Sequence, residues 1–380
     1  MPRSSPSWLF VVGACCVAAW VAPEFRRLHT ADVIVPGPGV SEVRRLSDWF
    51  PPLAGGPGDT PVFVLGGPGG GGTALVLGGT HADEPAGYLT AVLLVERAHV
   101  ERGRLIVIPR ANASGFTHNV GQEAHPSTFV VDTGHGTRHF TFGARATNPV
   151  HQWPDPQVYT HSSGQALSGI ETRNLNRAYP GRADGSLTER IAFAITTLIR
   201  REAVDVAIDL HEAAPEYPVV NTIVAHERAM EMAALANVNL QGQELDIGLE
   251  PSPQHLRGLS HREWGDATNA LALLVETTNP AQGRLRGRTD GDLVTAGRDR
   301  FYVAAARRGM LSVPFDDAGW SLTRRVARHV ATVGELLAVH AALSADRRVL
   351  VDGVPGYGDL IAHGLGRFLQ PPPDREGLLP

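Results

Sequence analysis

The sequence predicts an α/β layered domain, and three observations carry that prediction. Short apolar runs of strand composition alternate with helix-patterned segments. At 380 residues, with 43% hydrophobic and 19% charged side chains, the chain can bury a sizeable core. Polar residues capable of chemistry gather directly after the apolar runs, on the edge where open α/β sheets bind ligands.

Taken in order, Pro61 to Leu65 and Thr73 to Gly78 are two apolar runs joined by GGPGGGG, which reads as a hairpin. The glycine string lacks the Gly-Lys-Ser/Thr ending of a phosphate loop and leads to a strand, so phosphate binding is not expected. Pro85 to Val100 suits a helix, with proline tolerated in its first turn. Arg104 to Pro109 is a buried strand. Ser186-Leu-Thr-Glu189 is a capping box that opens a helix to about Arg201. Val204 to Leu210 and Leu271 to Val275 read as strands. Between them lie the apolar run Val219 to Ala225 and a helix near His226 to Ala236. Ser321 to Ser344 has the length and period of a packed surface helix, and the tail from Pro371 is expected to fray. Residues 114–170 break the pattern: this Gly-, Thr- and Pro-rich stretch holds six histidines and reads as an excursion with its own hairpin, packed by Phe129, Phe140 and Phe142.

The ends and the composition narrow the class. Trp8 to Ala22 is an uncharged apolar run preceded by Arg3, matching an export signal, although an uncleaved membrane anchor stays open. Export is the expectation. Both cysteines, Cys15 and Cys16, lie in this segment, so the rest of the chain has no disulfide, thiolate nucleophile or cysteine metal site. With 34 basic against 39 acidic side chains the net charge is −5, which gives no footing for nucleic-acid binding. Residues 1–22 are thus expected as a leader or anchor, 23–345 as one catalytic domain with the 114–170 insertion, and 346–380 as a C-terminal extension.

Four segments carry the chemistry. His81 and Glu84, three apart on a turn entering a helix, can aim an imidazole and a carboxylate at one ion; alone, such a pair often arises by chance. His211 ends a strand in Asp209-Leu-His-Glu212, where either acid could orient the imidazole. Glu276 follows an apolar strand, where a carboxylate is costly to bury without a partner or a task; it suits a base. Glu171-Thr-Arg173-Asn-Leu-Asn176-Arg177-Ala-Tyr179-Pro-Gly181 sets two arginines beside an asparagine, a donor-rich group suited to holding a carboxylate. His255, Arg257, His261 and Arg262 could line a pocket, but their setting reads as exposed loop and helix.

The ordered set His-x-x-Glu, Asn-x-Asn-Arg-x-Tyr-Pro-Gly, Asp-Leu-His and a strand-end Glu resembles the zinc carboxypeptidase superfamily, and within it the succinylglutamate desuccinylase/aspartoacylase branch. The resemblance implies a three-layer α/β/α sandwich with a mixed, mostly parallel central sheet. It implies one zinc ion on His81, Glu84 and His211, a substrate carboxylate gripped by Asn176 and Arg177, and Glu276 as general base. The arginine that polarises the scissile carbonyl would fall where this chain has Gly169, so Arg173 is assigned that role. No separate all-β C-terminal domain is expected, since residues 281–345 read as further core. The expected activity is removal of an acyl group from an N-acyl amino acid. An exported zinc carboxypeptidase acting on peptides or cell-wall fragments is the alternative, and a non-catalytic binding module the third.

Overall fold

Runs such as Thr73–Leu77 and Val206–Leu210 have no polar face to turn to water, so they become interior strands covered on both sides. The computed structural model describes residues 7–28, 33–67, 70–120 and 125–372. Its strands are β1 (Val40–Arg45), β2 (Pro61–Gly66), β3 (Thr73–Leu77), β4 (His99–Arg102), β5 (Arg104–Ile108), β6 (Thr128–Asp132), β7 (Thr137–Thr141), β8 (Val158–Thr160), β9 (Ala166–Ser168), β10 (Val206–Ala213), β11 (Thr222–Ala225), β12 (Gly248–Pro251), β13 (Leu271–Thr278) and β14 (Leu350–Asp352). Its helices are α1 (Ser7–Leu28), α2 (Pro85–Arg97), α3 (Leu187–Arg201), α4 (Met230–Gly242), α5 (Ser260–Ala267), α6 (Gly291–Thr295), α7 (Arg300–Ala306), α8 (Leu322–Leu343) and α9 (Tyr357–His363).

Eight strands form one sheet in the order β1-β2-β5-β3-β10-β13-β11-β12. The central four, β5, β3, β10 and β13, are parallel, and antiparallel pairs join β1 to β2, β2 to β5 and β11 to β13. Alternate residues of β10 serve opposite layers. Ile208 and Leu210 pack with α2, α4 and α8, whereas Ala207 packs with α3 and α5. Asp209 and His211 share the parity of Ala207, and Glu276 shares that of Ala272 on β13, so all three face the α3/α5 side. The result is the three-layer α/β/α arrangement with a mixed sheet.

Several expectations need correction. β2 and β3 are not a hairpin: β5 lies between them, antiparallel to one and parallel to the other. Four of the five residues of β5 are buried, and both its edges need partners; the neighbouring apolar runs supply them. Residues 346–372, within the expected C-terminal extension, pack onto the domain. β14 pairs with β4, and Leu360, Leu365 and Leu369 are buried beside α8. α8 itself is a core helix, with Arg325 and His329 fully buried. The insertion carries two hairpins, β6/β7 and β8/β9, with Phe129, Phe140 and Phe142 buried as expected. Residues 121–124 of the insertion and 373–380 of the tail lie outside the described residues. The capping box of α3 forms, and α2 ends at Arg97. α1 exposes Trp8, Phe10 and Trp20.

Candidate metal centre

The site lies at the C-terminal edge of the parallel strands. Beyond β3 the chain turns through His81, whose carbonyl accepts the Glu84 N–H (3.3 Å), and Glu84 becomes the N-cap of α2. Gly87 in the first turn of α2 is required there, because a Cβ would lie 2.5 Å from the Leu210 carbonyl oxygen of β10. That close approach brings Glu84 to His211. One ligand atom each from His81, Glu84 and His211 lies within 4.8 Å of the others, and all three residues are buried.

Each imidazole turns its Nδ1 toward the carboxylate: His81 at 2.7 Å from Oε1 and His211 at 3.0 Å from Oε2. The opposite nitrogens are held from behind. His81 Nε2 lies 3.0 Å from Asn174 Oδ1. That amide is oriented by accepting the Asn176 N–H and donating to Glu171 Oε2, so its oxygen is fixed facing the ring. His211 Nε2 makes a 2.9 Å ion-pair contact with Asp209 Oδ2, while Thr80 donates to Asp209 Oδ1 (2.9 Å). Glu84 also accepts the Glu212 N–H (3.1 Å) and the Gln282 amide (2.9 Å). Two imidazole Nδ1 atoms and one carboxylate, buried and pre-oriented, suit a borderline divalent cation.

The charges agree. Burial pushes Glu84 upward, but His81 and His211 outweigh it and hold the carboxyl well below its ordinary range. Burial also opposes the charged form of His211, yet Asp209 and Glu84 raise it well above a free imidazole. His81 falls to about 4 through burial and the Arg145 charge. The cluster thus favours positive charge between a carboxylate and two rings.

Glu276 stands beside His211 in the sheet register, with Oε2 buried and without a hydrogen-bond partner. Burial, helped by Glu84 and Asp209 and opposed by His211 and Arg145, pushes its carboxyl up to about 8. Arg177 lies in the same field: burial and Arg145 lower it, while Glu171 and Glu276 raise it. Asn176 is buried, and its Oδ1 accepts the Ser260 N–H (2.8 Å).

Arg173 is not brought to this group. Its guanidinium is taken up by Asp155 (2.7 and 2.9 Å) and the Thr147 carbonyl (2.9 Å). Arg145 stands at the cluster instead, with Nη1 3.2 Å from Glu84 Oε1 and 3.3 Å from His81 Nδ1. It comes from the insertion, 64 residues beyond His81, and no spacing rule singles it out. Asn174 was equally missed, although it sits inside the quoted Asn-x-Asn-Arg motif. Of the two acids flanking His211, Asp209 orients it. Glu212 points into the opposite layer, accepting from Arg325 Nη1 (2.6 Å) and the Ala86 N–H (2.8 Å). His255 is exposed as expected, but His261 and Arg262 are buried.

Comparison with known proteins places these residues in context. The curated N-alpha-acetyl-L-2,4-diaminobutyric acid deacetylase of Halomonas elongata is 26% identical over 156 residues, 40% of this chain, and the match spans only 32% of that protein. A crystallised succinylglutamate desuccinylase of a Silicibacter species is 21% identical, with 58% of this chain and 53% of that one covered at a TM-score of 0.34. A metallo-carboxypeptidase of Burkholderia cenocepacia is 13% identical, with 81% and 66% covered at a TM-score of 0.45. Residues 162–277, which hold Asn174, Asn176, Arg177, His211 and Glu276, match the succinylglutamate desuccinylase/aspartoacylase catalytic domain.

Proposed function

We propose that this chain is a zinc-dependent hydrolase that cleaves an amide bond next to a carboxylate, acting as an N-acyl amino acid deacylase. The observation that supports this most directly is the convergence of His81, Glu84 and His211, from separate elements, with Glu276 alongside His211. The deacetylase relative and the catalytic-domain match support the same reaction class. His81, Glu84 and His211 would hold the ion, one per chain. When bound, zinc supplies Lewis acidity and lowers the pKa of water from 15.7 toward ~7.

The chain's own groups do the rest. Glu276, with its raised carboxyl, accepts the proton of the attacking water and returns it to the departing amine. Arg145, beside the ligands, holds the developing oxyanion, the task first given to Arg173. Arg177 and Asn176 grip the substrate carboxylate and so fix which amide is cut. Export, with α1 as signal or anchor, is part of the proposal. It also favours the second reading, a carboxypeptidase acting outside the cytoplasm.

Metal analysis of the wild type beside His211→Ala tests the centre. The wild type should hold one zinc ion, and the variant should lose both zinc and amide turnover. A wild type that takes up no zinc and gains no activity when supplied with it overturns the proposal. A screen of N-acyl amino acids against short peptides with free C-termini separates the two substrate classes.

A further inference from the structure

His261 is a buried histidine that the reaction above leaves unused. α5 packs against β13, the strand that delivers Glu276, and carries Ser260 and His261 in its first turn. Trp264 anchors the helix in the core, edge-to-face with Tyr179 at 5.2 Å. The turn before α5 is pressed onto the carboxylate-gripping segment. The Ser260 N–H donates to Asn176 Oδ1 (2.8 Å), and the Tyr179 N–H donates to the Gly258 carbonyl (3.3 Å). Gly258 has φ +86°, and a Cβ there would lie 2.2 Å from the Arg177 carbonyl oxygen, so no other residue fits.

Within this turn the His261 ring is 3% exposed and fixed by one hydrogen bond, between Nδ1 and Ser252 Oγ (2.8 Å). Its Nε2 has no partner among the described residues and, unlike the ring nitrogens of His329, is not sealed in. The neighbouring Arg262 is engaged through its two Nη atoms with Glu227 and Asp266. Burial and the surrounding charges of His211, Arg262, Arg177 and His226 keep the ring neutral, down to about 3. A neutral imidazole that accepts the Ser252 hydroxyl proton at Nδ1 carries its own proton at Nε2. That N–H and the Arg177 guanidinium are both donors, Arg177 is among the charges that act on the ring, and a carboxylate is an acceptor only.

We propose that His261 is a specificity-determining residue, donating from Nε2 to the substrate carboxylate that Arg177 grips. The inference rests on the amide-hydrolase reading above and adds a second, uncharged contact to the recognition of the acid end.

The test uses the full, zinc-loaded chain and three variants. His261→Gln keeps a donor near Nε2, His261→Asn keeps the group near Nδ1, and His261→Ala keeps neither. KM and kcat are measured for a set of N-acetyl amino acids, and Kd by calorimetry for the same acids and their C-terminal amides. The Ala and Asn variants should raise KM and Kd for the acids about ten- to hundred-fold, with zinc content unchanged and kcat much less affected. Gln should recover most of the loss, and the C-terminal amides should bind wild type and Ala alike. Recovery by Asn and not by Gln would make the ring a strut on Ser252 and overturn the inference, as would an Ala variant that binds the acids as wild type does. A wild type that binds the acids without hydrolysing them overturns the hydrolase reading, and His261 is then judged by the Kd ratio alone. A wild type that binds none of them overturns both.

Discussion

At the scale of single residues, Arg145 and Arg173 have different partners. Arg173 is buried and bidentate on Asp155, so its charge is spent tying the 169–177 turn to the insertion. Arg145 is 44% exposed, and its Nη1 lies 3.2 Å from the Glu84 carboxylate. A preorganised donor near the developing charge typically contributes ~10²–10³ in rate. Arg145→Ala should therefore lower kcat by about that factor and leave bound zinc in place. Arg173→Ala should instead cost about 1.5–3 kcal/mol of stability, the range for lost charge-assisted hydrogen bonds. Denaturant titration of both variants beside their kcat values separates the assignments. If Arg173→Ala lost rate at unchanged stability, the roles would have to be exchanged.

At the scale of elements, the insertion is part of the site's frame. Past β7 it is stitched to the loop between His81 and Glu84: the Gly143 N–H donates to the Ala82 carbonyl (3.0 Å) and the Ala82 N–H to the Ala144 carbonyl (3.3 Å). One residue further on stands Arg145. The same hairpin is bolted to α2 by Arg138, which donates to Glu96 Oε1 (2.7 Å) and the Val33 carbonyl (2.6 Å); both partners of the ion pair are nearly inaccessible. Removing one partner strands a buried charge, so Arg138→Ala should cost about 3–5 kcal/mol. Limited proteolysis should then cut the 128–141 hairpin before the rest of the chain, whereas uniform cleavage would deny the hairpin this dependence. These ties also mark what the sequence could and could not convey. Val206–Leu210 and Leu271–Val275 are legible as strands because burial on both faces demands unbroken apolar runs. Ser186 and Glu189 are legible because a capping box is local. The neighbour of β2 was not legible, since Arg104–Ile108 competes with Thr73–Leu77 for the same edge on equal apolar terms. Arg145 was not legible either. Its place follows from backbone hydrogen bonds between segments about 60 residues apart, not from any spacing in the chain.

At the scale of the molecule, His81, Glu84 and His211 come from the β3–α2 junction and from β10, on strands that are neighbours in the sheet but about 130 residues apart in sequence. An ion bound between them fastens the start of α2 to the end of β10. Buried strands such as these unfold only with the whole domain, so metal binding should register as global stability. A ligand at a hundred times its dissociation constant stabilises the folded state by about 2.7 kcal/mol, and each kcal/mol raises Tm by roughly 1.2 °C in a chain of this size. The zinc-loaded wild type should therefore melt several degrees above the same protein in excess chelator, and added zinc should restore the difference. His211→Ala should melt at one temperature in both conditions. Because the ligands must be deprotonated to bind, the gap should narrow as pH falls, the direction set by the raised imidazole of His211. Arg138→Ala, which leaves the ligands intact, should shift both melting curves downward and keep the interval between them. A wild type whose Tm ignores the chelator at neutral pH would show that no ion bridges α2 and β10, and the proposed centre would fail with it.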